Sequence, residues 1–201
     1  MAIPRNTDPL DTFAAWFEEA KAKQDDAIFH EPTAVTLCTV APGGTPDARI
    51  VLLKGFDARG FVFYTNLSSR KARQLEANPR ATLLFYWMPI DKQVRVTGVV
   101  ERVSDAEADA YHASRPKQSQ IGAWASKQSQ PLEGRFELER RVAKFAAKYA
   151  VSKVPRPEFW SGYRVVPERI EFWLKQPFRL HERLEYTRNE AGGWDTRYLY
   201  P

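Results

Sequence analysis

Three groups of residues in this 201-residue chain have the types and spacing to do chemistry. Tyr111 and Arg115 stand four apart where a helical pattern ends at Pro116, and Ser119 lies just beyond. Side chains at i and i+4 share a helix face, so a phenol, a guanidinium and a hydroxyl converge on a small volume. That is chemistry for a phosphate monoester; an ordinary helix C-terminus is the competing reading. Arg49 and Lys54 bracket the apolar run IVLL, while Arg70 and Lys71 follow YTNLSS and open a helix. Free N–H groups, the helix dipole and two cations make such a start a phosphate cradle, and a solvated basic helix face is the plainer alternative. Arg179, His181 and Arg183 recur at period two, so on a strand they would share one face. Three basic groups without an acid are costly to bury unless an anion meets them; on an edge strand they would discourage aggregation instead.

No nucleophile competes with these cations. The chain has no GxGxxG after a strand, no Walker A loop and no GxSxG elbow. Cys38 is the single cysteine, lies in the apolar run VTLCTV and reads as a small core residue. It permits no intrachain disulfide, which fits a reducing cytoplasm. His30, His112 and His181 are too scattered for zinc-ligand spacing, so no metal is expected. A net charge of +5 favours an anionic ligand, but Lys and Arg are spread along the chain, not gathered into a nucleic-acid arm. The start, MAIPRNTDPLD, has no signal-peptide core, and no apolar run approaches membrane-spanning length. Cations, amides and hydroxyls without a nucleophile suit a site that holds phosphorylated ligands while a bound cofactor supplies the reaction.

The elements that must position these groups follow from periodicity. Asp8-Pro9 starts a helix whose Leu10, Phe13, Trp16, Phe17 and Ala20 share one face. TAVTLCTV, DARIVLLKGF, FVFYTN, ATLLFYW and QVRVTGVVERV read as strands joined by hairpin-length turns. Ser68 or Ser69 caps a short helix through Leu75, and Ser104 with Glu107 forms a capping box for DAEADAYHAS. RPKQSQIGAWASKQSQ fits neither helix nor strand periodicity, and LEGRFELERRVAKFAAKY is an amphipathic helix. SGYRVV, RIEFWL and RLHERLEYTR read as three further strands, with a short one near Trp194. Short antiparallel strands with interposed helices suggest a small barrel in one domain over residues 1–201. Within it, 1–30 holds an N-terminal segment and helix, 31–103 the core strands, 104–150 a helical insertion with the ligand loop, and 151–201 the C-terminal strands.

Six stretches, in order and spanning most of the chain, resemble the pyridoxine/pyridoxamine 5′-phosphate oxidase family: RIVLLK, FYTNLSSRKARQLEANP, QVRVTGVVERV, SRPKQSQIGAWASKQS, FWSGYRV, and IEFWL with RLHERLEY. The resemblance implies a mainly β fold with helices, an antiparallel FMN-binding split β-barrel that forms a homodimer with FMN at the subunit interface. Implied FMN contacts are Arg49, Ile50, Val51, Leu52, Leu53 and Lys54, then Tyr64, Thr65, Arg70 and Lys71. Gln93, Gln128, Ser129, Trp173 and Arg183 complete that set. Implied substrate contacts are Lys54, Tyr111, Arg115, Ser119, Arg179 and His181, the last two as the catalytic pair. Polar residues in 115–130 then serve ligands, with Trp124 anchoring the segment by packing.

The implied reaction oxidises pyridoxine 5′-phosphate or pyridoxamine 5′-phosphate to pyridoxal 5′-phosphate. A hydride passes to flavin N5 from the carbon that becomes the aldehyde; dioxygen then reoxidises the flavin and yields hydrogen peroxide, with ammonia released from the amine. Arg179 would cover the substrate face away from the flavin, and His181 would bond the ring hydroxyl. The sequence departs from the family pattern in having only Arg5 before the first helix, and in ending RYLYP. Competing readings are a flavin oxidase of a phenazine-pathway type, a non-catalytic FMN-binding module and, last, a barrel for single-stranded nucleic acid. A phosphate clamp at Tyr111, Arg115 and Ser119 favours the phosphorylated pyridine.

Overall fold

The computed structural model describes residues 2–5, 7–23 and 31–201, so His30 lies outside the described residues. Helix α1 (Pro9–Ala22) begins where the Asp8 carboxylate accepts from the Leu10 amide at 2.8 Å. Its apolar face buries Phe13, Trp16, Phe17 and Ala20, the stripe expected from the periodicity. Phe13 is fully buried, with Phe56, Phe61 and Phe85 edge-on to it at 4.8, 4.9 and 5.1 Å.

The strands are β1 (Ala34–Val40), β2 (Pro46–Leu52), β3 (Gly55–Asp57), β4 (Gly60–Asn66) and β5 (Arg80–Trp87). They continue as β6 (Lys92–Arg102), β7 (Trp160–Leu174), β8 (Glu182–Arg188) and β9 (Trp194–Tyr198). All pairs are antiparallel, in the order β2-β1-β5-β6-β7-β4-β3, with β8 on β7 and β9 on β8. The sheet curls into the half-barrel of a split β-barrel. Its inner face carries the apolar alternate residues of β1, β5 and β6. Helices α2 (Arg70–Ala77), α3 (Asp105–Ser114), α4 (Lys117–Ala125) and α5 (Glu137–Lys148) lie between strands in the chain.

Four local expectations are corrected. DARIVLLKGF is not one strand. The Leu53 amide still donates to Thr33 O, but the Lys54 amide donates to Val62 O, so the chain leaves β1 and joins β4 at Lys54. SGYRVV and RIEFWL, in contrast, are one strand, β7. Pro167 lacks an N–H and sits opposite Gly98 at a register shift, where the ladder tolerates it. The 115–130 segment contains a helix, α4. Ile121, Trp124 and Ala125 turn one face to α5, and Trp124 Nε1 donates to Pro155 O at 2.8 Å, so Trp124 does anchor the segment. Three apolar residues among polar ones carried too little periodicity to reveal it. Finally, Arg179 and His181 precede β8. Arg179 ends a short 3₁₀ turn, with φ 56° at Phe178 and 63° at Arg179, so the three basic residues do not form a row on one strand.

Candidate active site

A cavity of about 450 Å³ opens between β2, β4, α3 and α4. Each wall follows from local sequence. The β2 run supplies Ile50, Val51 and Leu52, and Lys54 sits at the crossing from β1 to β4. The capping box at Ser104 and Glu107 starts α3, which ends with Tyr111 and Arg115 at the cavity. The face of α4 turned away from α5 presents Ser119, Gly122, Ala123 and Ser126, small residues at helical spacing that leave room for a ligand. Tyr111, Arg115 and Ser119 are therefore brought together as their spacing predicted.

A second cluster anchors the start of α2. Lys71 Nζ donates to Gln128 Oε1 at 3.0 Å and to Thr65 Oγ1 at 3.2 Å, and the Arg70 amide donates to Ser129 Oγ at 3.2 Å. Residues from β4, α2 and the loop after α4 thus meet at one helix N-terminus. Burial, with the Arg49 charge nearby, lowers the Lys71 amine to about 8. Arg49 is held by Asp47 at 2.7 Å and by Thr39 and Gln74, and does not line the cavity. Leu53 is buried in the core and does not line it either.

Trp160, the first residue of β7, also lines the cavity and was not singled out by sequence. Its ring lies parallel to Tyr64 at 5.2 Å, and Tyr64 stacks on Tyr111 at 4.0 Å. Gly162 makes this possible: a Cβ there would stand 2.7 Å from the Tyr64 ring. Burial raises the Tyr64 and Tyr111 phenols and lowers the Arg115 guanidinium from their ordinary values. One guanidinium nitrogen of Arg115 is buried without a partner among the described residues.

The remaining expected residues form a separate group that does not line this cavity. Gln93 pairs with Trp173 across β6 and β7, and Trp173 pairs with Arg183 across β7 and β8. The His181 ring is 4.6 Å from Trp173, and its Nδ1 accepts from the Gln176 amide at 3.2 Å. Arg183 is not an acid-free cation, because the buried Glu171 carboxylate accepts from it at 2.8 Å. Trp160 and Trp173 mark the two groups at opposite ends of β7. At about 3.3 Å per residue, they are on the order of 40 Å apart along the strand. Among the described residues, none of the second group lines the cavity of the first.

The cavity chemistry fits a flavin phosphate and a phosphorylated substrate. Its lining includes Lys54, Lys71 and Arg115 but no carboxylate, imidazole or thiol among the described residues. A buried N–H without a partner is costly unless a ligand supplies the acceptor. No group of three or more His, Cys, Asp or Glu among the described residues could hold a metal, and no described helix is long and apolar enough to cross a membrane.

Comparisons with known proteins show the family. A family model described as pyridoxamine 5′-phosphate oxidase matches residues 22–149. A second, described as the pyridoxine 5′-phosphate oxidase C-terminal dimerisation region, matches residues 160–201. The chain is 60% identical over 194 residues to a Myxococcus xanthus (strain DK1622) protein named pyridoxine/pyridoxamine 5′-phosphate oxidase, covering 96% of this chain and 92% of that one. A Rhodospirillum rubrum protein of the same name is 56% identical, with 100% of each chain covered. Among solved structures, PhzG from Burkholderia lata in complex with tetrahydrophenazine-1-carboxylic acid superposes with a TM-score of 0.87 at 31% identity, over 96% of this chain and 93% of that one. An FMN-binding protein from Nostoc punctiforme shares the fold, with a TM-score of 0.77 at 17% identity over 98% and 100%. The chain belongs to the pyridoxine/pyridoxamine 5′-phosphate oxidase family.

Proposed function

We propose that this protein is an FMN-dependent oxidase that converts pyridoxine 5′-phosphate or pyridoxamine 5′-phosphate to pyridoxal 5′-phosphate with dioxygen, working as a homodimer in the cytoplasm. The observation that carries the substrate class is the half-buried Arg115, one of whose guanidinium nitrogens is buried with no partner among the described residues, in a cavity whose described lining carries no acid. Tyr111 and Ser119 add hydroxyl donors beside it, and Lys54 a second cation. These four would grip the phosphate end, remote from the reacting carbon, and turn binding energy into alignment. FMN, when bound, supplies the two-electron acceptor for the substrate carbon and is restored by dioxygen.

Lys71, Gln128 and Ser129 at the start of α2, with Arg49 and Arg70, suit the flavin phosphate, since helix N–H groups and cations act together there. Gln93, Trp173 and Arg183 would reach the flavin from the second subunit, and Arg179 and His181 the substrate. The separation along β7 supports this sharing. Arg179 would close over the substrate and exclude water; His181, whose Nδ1 accepts from a backbone amide, is left to offer Nε2 to the ring hydroxyl.

The test is to add pyridoxine 5′-phosphate to the yellow, FMN-loaded protein without oxygen. Bleaching of the flavin band, reversed by air with pyridoxal 5′-phosphate formed, is expected. A band that stays yellow would remove this substrate and turn attention to a phenazine-type compound. Failure to take up FMN would remove the flavin site.

A further inference from the structure

Several arginines in this protein are held by carboxylates. Arg49 is held by Asp47, Arg164 by Glu107 at 2.7 Å, and Arg183 by Glu171 at 2.8 Å. Arg115 forms no salt bridge to a described residue; its guanidinium carbon lies 4.8 Å from the centre of the Trp160 ring. Trp160 is only 6% exposed and is fixed on its other sides. Tyr64 lies parallel at 5.2 Å, His112 stands edge-on at 5.3 Å, and its backbone carbonyl accepts from Arg156 at 2.9 Å.

We infer that Trp160 is a positioning residue for the substrate phosphate: its ring face carries the Arg115 guanidinium where a carboxylate would otherwise stand. This rests on the proposed function and deepens it. An aromatic face attracts a cation through its quadrupole without cancelling the charge. A carboxylate would hold Arg115 more firmly but would compete with the incoming phosphate and repel its two negative charges. The Trp160 face therefore orients Arg115 while leaving its charge and its buried N–H for a dianionic ester. Neighbouring charges agree. The groups facing Arg115 include the phenol of Tyr111 and the edge of His112, whose charged form is disfavoured by burial and by the charges of Arg115 and Arg156, against the opposing Asp109.

The test compares Trp160→Phe, which keeps an aromatic face, with Trp160→Leu, which keeps apolar bulk only. Both are measured as FMN-loaded protein, by steady-state oxidation of pyridoxine 5′-phosphate and by calorimetric titration with inorganic phosphate. The expected KM increase is about threefold for Phe and about tenfold for Leu, with kcat and bound flavin little changed, and phosphate affinity falls in the same order. Equal defects in the two variants, an unchanged KM, or losses of kcat and flavin that match the rise in KM would overturn the assignment, because packing alone would then account for Trp160. Should the wild-type protein not oxidise pyridoxine 5′-phosphate, the proposed function falls, and phosphate affinity alone decides the role of Trp160. If Trp160→Leu does not fold, a weaker phosphate affinity in Trp160→Phe upholds the role and an unchanged one removes it.

Discussion

Glu171 offers a quantitative test of how the C-terminal strands hold the side chains proposed for the flavin site. The carboxylate is 3% exposed, and it accepts from Arg183 on one oxygen and from Arg95 on the other. Burial works against its charged form, but the bonds from Arg183 and Arg95 outweigh that, so the carboxyl lies below its ordinary value. Glu171→Gln keeps shape and one acceptor while removing the charge and pointing an amide N–H at a guanidinium. Breaking one side of a fully buried ion pair costs about 3–5 kcal/mol. Here the arginines are 41% and 26% exposed and can recover hydration, which brings the expected loss to about 2 kcal/mol. For a chain of this length that lowers Tm by about 4–8 °C.

Thermal unfolding of the FMN-free protein at pH 7 would measure this loss without interference from flavin release. The sign with pH is also fixed. A lowered carboxyl stabilises the fold above its unfolded pKa of about 4.3, and the stabilisation disappears as pH falls through the folded value. The gap between wild type and Glu171→Gln should therefore close in acid. A Tm unchanged at pH 7, or a gap that persists below the carboxyl range, would refute the reasoning.

Two further outcomes follow from the geometry. Lys71 titrates at about 8 in the free protein, and a bound phosphate dianion would raise it, so FMN affinity measured by flavin fluorescence should weaken by up to about tenfold per pH unit above that value; Lys71→Met should remove the dependence. In Gly98→Ala a Cβ would stand 1.9 Å from Val166 O, a backbone atom that cannot step aside, so far less folded protein is expected from expression and circular dichroism than for the wild type.

Much of the framework could be read directly. The apolar stripe of α1, the capping box of α3 and the alternation of β6 are local patterns, and local patterns survive folding. The Tyr111–Arg115–Ser119 convergence was legible for the same reason. What escaped depends on partners distant in the chain. β7 continues through Pro167 only because Gly98 lies opposite, and α4 is a helix because Ile121 and Trp124 find Tyr149 and Phe145. The left-handed Phe178 and Arg179 carry no glycine or asparagine to announce them. Nothing local to Trp160 signals that its ring lies beneath a guanidinium contributed by a residue 45 positions earlier.

The length of β7 has a genetic consequence. One hydrogen-bonded strand carries Trp160 at one end and Trp173 at the other, and in the proposed dimer each end belongs to a different catalytic centre. A lesion at Arg115 and a lesion at Arg179 then damage opposite halves. When two such defective subunits pair, one centre receives both lesions and the other receives none. Two alleles that are each inactive alone can in this way restore one working centre between them.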